Sequence, residues 1–432
     1  MPRSRTDLIH YAVLAVAFLI ALALPFQLGT LWMLGGMALF MLLLSWSISW
    51  RKAQREAASG GVGIVDRSSW LFWVMAAVIT VLIPMIAGTS FFLSVMVAFF
   101  VYLIWNVMWG LVLGTAGLQS FATVAVAGLA AYAAAYLTTP SGNTALACTG
   151  GGARILGLPV VHWYVGIPVA IVVGVVVGFV ISLPAIRLRG IYFALLTIGL
   201  VELCRAYFSE NKCDFGGAQG LFGADTFIPD AMRGTTNGTL IAYVAIALLA
   251  ALALVIYWRV NYGRLGLLLR TARESEPVAE VLGVDVVRSR LWVFLISSAV
   301  LGAAGGFYVA YYKSISPNFF LFSLVLFLFA MVMIGGVNSP RGILIGTMLL
   351  QFVDQRFVDV DPPELRYVAI GVLLLAITLL ASDGLVSVPE EILRRRGTSG
   401  SRGSGPLATP PEDVGAIHQE EHMPPGSRPE TA

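Results

Sequence analysis

Charged side chains are scarce in this chain. They make up 12% of its 432 residues, against about a quarter in an ordinary soluble domain. That density is too low for a water-soluble globule of this length. Lysine is scarcer still: Lys52, Lys212 and Lys313 are the only ones, and none completes G-x-x-x-x-G-K-[ST]. ATP binding through a phosphate loop of that kind is therefore excluded. Histidine occurs four times, at His10, His162, His418 and His422, and none lies mid-span beside a carboxylate or cysteine. An intramembrane enzyme needs convergent titratable groups, so the sequence gives that class no visible basis, and the chain is expected not to be an enzyme. The three cysteines, Cys148, Cys204 and Cys213, form no C-x-x-C pair and no Cys/His metal spacing. Cys148 and Cys213 fall in two loops placed outside the membrane, where a disulfide is permitted. Two unrelated small residues is the alternative reading. No metal site is expected: His418-Gln-Glu-Glu-His422 departs from H-E-x-x-H at its second position, Gln419.

What the chain has in abundance is apolar length. Hydrophobic residues reach 58%, and mean hydropathy is +0.84. A run of about 20 apolar residues crosses a hydrocarbon core of about 30 Å. Candidate spans lie at 11–28, 31–48, 70–88, 91–113, 116–138, 163–183, 190–208, 237–258, 291–312, 318–337, 341–357 and 364–381. These predict an all-α, polytopic bundle of about 10–12 spans. Runs 116–138, 190–208 and 341–357 are rich in Gly, Ala, Thr or polar residues, the composition of broken or re-entrant helices packed inside a bundle. The first run resembles a cleaved signal, but a second follows at once with no hydrophilic region between them, which favours a retained span. Residues 1–69 then form an accessory transmembrane hairpin and cytoplasmic loop, 70–389 the main transmembrane domain, and 390–432 a tail. That tail is Gly, Pro, Ser and Glu with few large apolar residues, a composition that cannot bury enough surface to fold alone.

Arginines orient the bundle. With the N-terminus inside, Arg51, Arg55 and Arg67, then Arg187 and Arg189, then Arg259, Arg264, Arg270, Arg273, Arg288 and Arg290, then Arg394–Arg396 all fall on the cytoplasmic face. Both termini are cytoplasmic on this reading. The formal charge of +3 is explained by these loops, and a nucleic-acid partner is not implied. The densest island, 259–290, separates two long apolar runs, so it is a loop at the membrane face. Within it, Glu274–Gly283 reads as a short helix ending at a glycine. A small helix there is where a soluble motor can grip a membrane protein.

Two further blocks carry candidate function. In 114–128 small residues recur every three or four positions, which permits close helix approach. They leave a polar thread of Thr115, Gln119, Ser120 and Thr123, readable as pathway lining or as plain helix packing. In 183–202, Glu202 stands 12 residues past Gly190, about 18 Å along a helix. A carboxylate at that depth is expected to face the bundle interior with a partner, and Arg205 is one turn away. A structural pair and a polar station on a substrate path are both open. Gln119, Ser120, Thr197 and Glu202 are the candidate pathway residues. A third block, 334–346, reads as a tight turn between two spans.

Taken in order, IRLRGIYFALLTIGLVEL, GGAQGLFG, GRLGLLLRTARESEPVAEVLGV, SAVLGAAGGFYVAYYKSISP and MVMIGGVNSPRGILIG resemble LivM-type permeases. These are membrane subunits of branched-chain amino acid ABC importers, and the likeness covers roughly residues 91–381. The resemblance implies an ABC importer permease in the cell (inner) membrane. Its expected partners are ATPase subunits, a second related permease of LivH type and an extracytoplasmic solute-binding protein. No cofactor is expected in this chain, ATP being bound by partner subunits. The resemblance also implies that Arg273, Glu274, Glu276, Ala279, Glu280 and Gly283 belong to the ATPase-coupling loop. Ser275 and Pro277 stand where the family usually has Asp and an aliphatic residue. The substrate implied is a branched-chain amino acid or a related small polar solute. The rival class is an ATPase-independent secondary transporter or channel.

Overall fold

The computed structural model describes residues 90–140, 161–185, 190–229, 234–274, 285–337 and 339–357. It adds isolated positions in 41–45, 73–80, 188, 232, 279–281 and 365–385. The N-terminal hairpin, the last candidate span and the tail lie wholly or mostly outside these residues, as does Cys148.

The described chain is helical, as apolar backbone must be when no water is present to satisfy its N–H and C=O groups. Helix α1 (Ser90–Gly110) runs into a π-helical turn, Leu111–Thr115. Then come α2 (Thr123–Thr138), α3 (Trp163–Ala185), α4 (Ile191–Glu210), α5 (Thr236–Asn261), α6 (Arg264–Glu274), α7 (Val286–Tyr312), α8 (Phe322–Gly335) and α9 (Pro340–Arg356). A two-residue strand, β1 (Leu221–Phe222), pairs antiparallel with β2 (Ser314–Ile315). Among the described residues five helices, α1 with its π turn, α3, α4, α5 and α7, are long and apolar enough to cross a membrane; α2 and α8 are apolar but shorter. Caps set several starts: Thr235 accepts from Gly238 N, Asp285 from Arg288 N and Ser339 from Gly342 N. The turn at 334–346 is thus structural, with Pro340 in the first helical position behind its Ser339 cap.

Burial divides the spans into two kinds. The most apolar stretches of α1 and α7 are 78% buried, whereas those of α3, α4 and α5 are 33%, 33% and 28%. The first pair forms the centre, and the other three carry outward faces. Helix α3 carries a buried ridge of small residues at every fourth position, Gly166, Ala170, Gly174 and Gly178, of which the last three meet α7 and Gly166 faces Thr138 of α2. A Cβ on Gly174 would lie 2.7 Å from the Ser298 carbonyl oxygen and 2.9 Å from Gly302 Cα. Only glycine permits that backbone approach, the usual device where lipid supplies no hydrophobic drive between helices. Helices α8 and α9 form a hairpin closed the same way, Gly335 against Gly342. Side-chain bonds also join the helices: Asn106 Nδ2 of α1 donates to Thr347 Oγ1 of α9 at 3.0 Å, both side chains fully buried, and lies 3.1 Å from Met331 Sδ of α8.

One end of the bundle is knitted by a loop cap. Gly223 N and Ala224 N donate to the Lys313 carbonyl at 2.9 and 3.2 Å, and Asp225 N donates to the Thr138 carbonyl at 3.2 Å. The Asp225 carboxylate accepts from Trp163 N at 3.1 Å and meets His162 Nδ1 at 3.1 Å. The GGAQGLFG block builds this cap, because Gly216, Gly217, Gly220 and Gly223 all adopt positive φ. A Cβ on Gly220 would collide with the Ile315 carbonyl, so the strand pairing depends on its absence.

Candidate functional site: a broken helix tied to a charged one

The run 116–138 is not one helix. Past the π turn, residues 116–122 are non-helical, Gly117 has φ +67°, and α2 begins only at Thr123. Polar side chains satisfy the backbone groups that this break exposes. Leaving the helix frees backbone groups that have no water to turn to. Ala122 N donates to Ser120 Oγ at 3.2 Å, and Phe121 N to Thr197 Oγ1 of α4 at 3.0 Å. The Thr197 hydroxyl is fully buried and donates in turn to the Ala194 carbonyl at 2.9 Å. Ser120 and Thr197 thus meet at the break and hold it open. Gln119 sits on the same segment and is exposed.

The other end of the break is held from the charged island. That island carries a helix of its own, α6, Arg264–Glu274; the helix expected at Glu274–Gly283 follows it and lies mostly outside the described residues. An apolar face seats α6. Leu269 and Ala272 are buried, and Ala272 packs with Ala279 and Val286, while Arg264, Arg270 and Arg273 point outward or along the surface. Arg273 Nη1 donates to the Gly114 carbonyl at 2.7 Å, inside the π turn. The last carbonyls of a helix lack intrahelical donors, and a cation suits that end of the dipole. The Arg273 stem also lies over Gly117, where a Cβ would stand 3.4 Å from its Cγ.

A second tie runs beside the first. Asn261, the buried last residue of α5, accepts at Oδ1 from Thr115 Oγ1 at 2.9 Å and from Arg270 Nη2 at 2.8 Å. Arg270 also donates to the Asn261 carbonyl at 3.3 Å, with its guanidinium 5.5 Å from the Tyr262 ring centroid. Two arginines of one helix therefore hold the end of the π turn, Arg273 directly at Gly114 and Arg270 through Asn261 at Thr115. Asn261 carries no motif, and its one signal in the sequence is an amide at the end of an apolar run. Of the coupling-loop residues, Arg273 and Ala279 are placed; the side chains of Glu274, Glu276 and Glu280, and Gly283, lie outside the described residues, as does the Cys213 side chain.

Glu202 requires a correction. Its carboxylate pairs with Arg205, Nη1 to Oε1 at 2.7 Å, yet the pair faces out of the bundle, with side-chain exposures of 56% and 40%. The reason is helical phase. Phe193, Thr197, Val201, Cys204 and Phe208 form the inward stripe of α4 at i, i+4 and i+3 intervals, which leaves 202 and 205 off it. Glu202 does not join Ser120 and Thr197. Facing hydrocarbon, an Arg or Asp at a helix centre costs about 2.5–3.5 kcal/mol on insertion scales. Among the described residues no group of three or more His, Cys, Asp or Glu side chains could hold a metal ion.

Comparison with known proteins agrees with the bundle. A family described as branched-chain amino acid transport system / permease component matches residues 91–378. The chain is 28% identical over 249 residues to the high-affinity branched-chain amino acid transport system permease protein LivM of Salmonella typhimurium, covering 53% of this chain and 58% of that one. It is 25% identical over 232 residues to a probable LivM permease of Methanocaldococcus jannaschii, covering 50% and 66%. A LivH permease of Escherichia coli K12 matches at 28% over 145 residues, covering 34% and 46%. The chain thus spans little more than half the length of the first relatives it matches. No solved structure matches. The family match extends from the start of α1 past the end of α9 and takes in the broken helix and α6: this chain is a multi-pass membrane protein that belongs to the branched-chain amino acid transport permease family.

Proposed function

We propose that this chain is a permease subunit of an ABC importer in the cell (inner) membrane, moving branched-chain amino acids or related small polar solutes into the cytoplasm. Separate ATPase subunits drive it, binding the ATP that this chain has no phosphate loop to hold. A second related permease and an extracytoplasmic solute-binding protein complete the assembly. The observation that carries the reading is the double tie between α6 and the π turn: Arg273 to the Gly114 carbonyl, and Arg270 through Asn261 to Thr115. A force applied to the loop 259–290 from the cytoplasm reaches the broken helix through these bonds. The arginine pattern supports a cytoplasmic position for that loop and an outer one for the cap of Asp225 and Lys313. Gln119, on the break, supplies a polar group where a zwitterion needs one.

Reconstitution tests the proposal. The chain is placed in proteoliposomes with the ATPases, permease and binding protein encoded beside it, and uptake of radiolabelled leucine is followed. Uptake that requires ATP and is lost in Glu280→Ala or Gly283→Leu chains that still insert supports the reading. Uptake without ATP or any ATPase subunit supports the secondary-transporter class instead, and urea uptake in place of leucine overturns the substrate.

A further inference from the structure

Three spanning helices turn a face out of this bundle, and they are not alike. The outward residues of α3 are apolar: Val172, Val176, Phe179 and Val180. Those along the body of α5 are too, with Val244, Leu248, Leu252 and Val255. Hydrocarbon covers such faces at no cost. The outward face of α4 mixes Leu195, Leu203 and Tyr207 with the Glu202–Arg205 ion pair. Glu202 lies 11 residues from Ile191 and 8 from Glu210, so it stands about 12–16 Å from either helix end. A glutamate stem cannot reach an interface over that distance. Arg205 is nearer an end, but its guanidinium turns to the carboxylate at 2.7 Å and away from the rim. Beside the pair the surface is recessed: Gly199 has no atom within 4 Å of the position its Cβ would occupy, and Ala206 is exposed.

We propose that this face of α4 is the seat of the second permease subunit, whose own helix covers the Glu202–Arg205 pair and enters the recess at Gly199. The inference rests on the importer reading above, which supplies the partner. Soluble ATPase and binding-protein subunits cannot reach this depth, so the occupant is a membrane chain. Lipid cannot be the occupant, because it offers no hydrogen bonds to a charge pair held mid-span. The facing helix presents a hydrogen-bonding side chain opposite Glu202, in the manner of polar residues that join helices inside membranes. The ion pair, with its two charges already matched, then needs one neutral polar neighbour and no counter-ion.

Photo-crosslinking in the assembled complex tests this. A benzophenone amino acid is placed at Leu195 or Leu203 on α4, and at Val176 on α3 or Leu252 on α5 for comparison. The proposal expects adducts to the second permease, identified by mass spectrometry, at yields about tenfold above those of the α3 and α5 positions, the contrast a docking preference of about 1.4 kcal/mol produces. A second measurement uses the double variant Glu202→Leu with Arg205→Leu, which leaves no charge unpaired and so inserts normally. It is expected to recover about tenfold less of the second permease on affinity purification. Equal yields at all four positions, adducts to a second copy of this chain, or undiminished recovery by the double variant would each overturn the α4 seat while leaving the importer reading intact. If no second permease is recovered with the unaltered chain, the importer reading itself fails.

Discussion

Arg273 and Gly114 are 159 residues apart in the chain and 2.7 Å apart across one hydrogen bond, guanidinium to carbonyl. The bond joins the charged helix of the 259–290 loop to the one turn of α1 that is wound as a π-helix. Such turns are rare, and those that occur are frequent at functional sites. The tie is therefore placed where the charged helix meets the irregular end of α1.

Removing that tie separates coupling from folding. Arg273→Ala should leave the protein inserted and lower ATP-driven uptake about tenfold, since a bond to a charged group contributes about 1.5–3 kcal/mol, less where water screens it. Basal ATP hydrolysis by the complex should persist. Uptake and hydrolysis falling in proportion would mean that Arg273 serves only assembly.

Asn261 should couple energetically to Arg270. Asn261→Leu removes the acceptor shared by Thr115 and Arg270, and Arg270→Ala removes one of its donors. A double-mutant cycle on uptake is expected to give an interaction energy above about 0.5 kcal/mol, as contacting residues in one network do. Strict additivity would show that the bonds act independently.

Thr197 holds the break through a single atom. Thr197→Val preserves shape but deprives Phe121 N of its acceptor, an unpaired buried group costing about 1–3 kcal/mol. Thermal unfolding of purified protein in detergent should fall for valine, with most of the loss recovered in Thr197→Ser. Equal melting of the valine and threonine forms would remove the proposed role.

The α3–α7 ridge tolerates no side chain at Gly174. Gly174→Val places carbon where the Ser298 carbonyl and Gly302 backbone already stand. Overpacking of this kind costs about 1–3 kcal/mol or more, so the variant should accumulate poorly in the membrane, read by quantitative immunoblotting. By contrast, Val176→Leu on the outward side of the same helix should accumulate normally.

Asn106 and Thr347 offer a milder case. Asn106→Leu breaks the bond between α1 and α9, and interhelical hydrogen bonds in membranes contribute about 0.6 kcal/mol on average and up to about 1.7. A melting shift of a few degrees at most is expected. A collapse of expression would indicate that the amide does more than join two helices.

Much of this molecule was legible before any coordinates, and what was legible is local. Crossing a membrane is decided within about 20 residues by transfer of apolar side chains, so the runs at 91–113, 163–183, 190–208, 237–258 and 291–312 coincide with helices to within a few residues. The break in 116–138 is also legible locally, in its Gly, Thr and Ser content. The same reading of 190–208 and 341–357 is corrected by the structure: both are continuous helices, α4 and α9, because their buried polar and small residues pack within the bundle without interrupting the backbone. Helix α6 is not legible in the sequence, because arginines mask its apolar stripe in a charge count. Other features depend on residues brought together from far along the chain. Thr197 is a helix threonine until Phe121 loses its helical acceptor beside it, and Asn261 is an unremarked amide until Thr115 and Arg270 converge on it. Glu202 shows the limit most clearly. Its depth and its partner one turn away follow from sequence spacing, but its direction does not. Direction depends on which stripe of α4 packs inward, and that is set by the fit of Phe193, Thr197, Val201 and Phe208 against other elements. Hydropathy is a property of a segment; helix phase is a property of its neighbours.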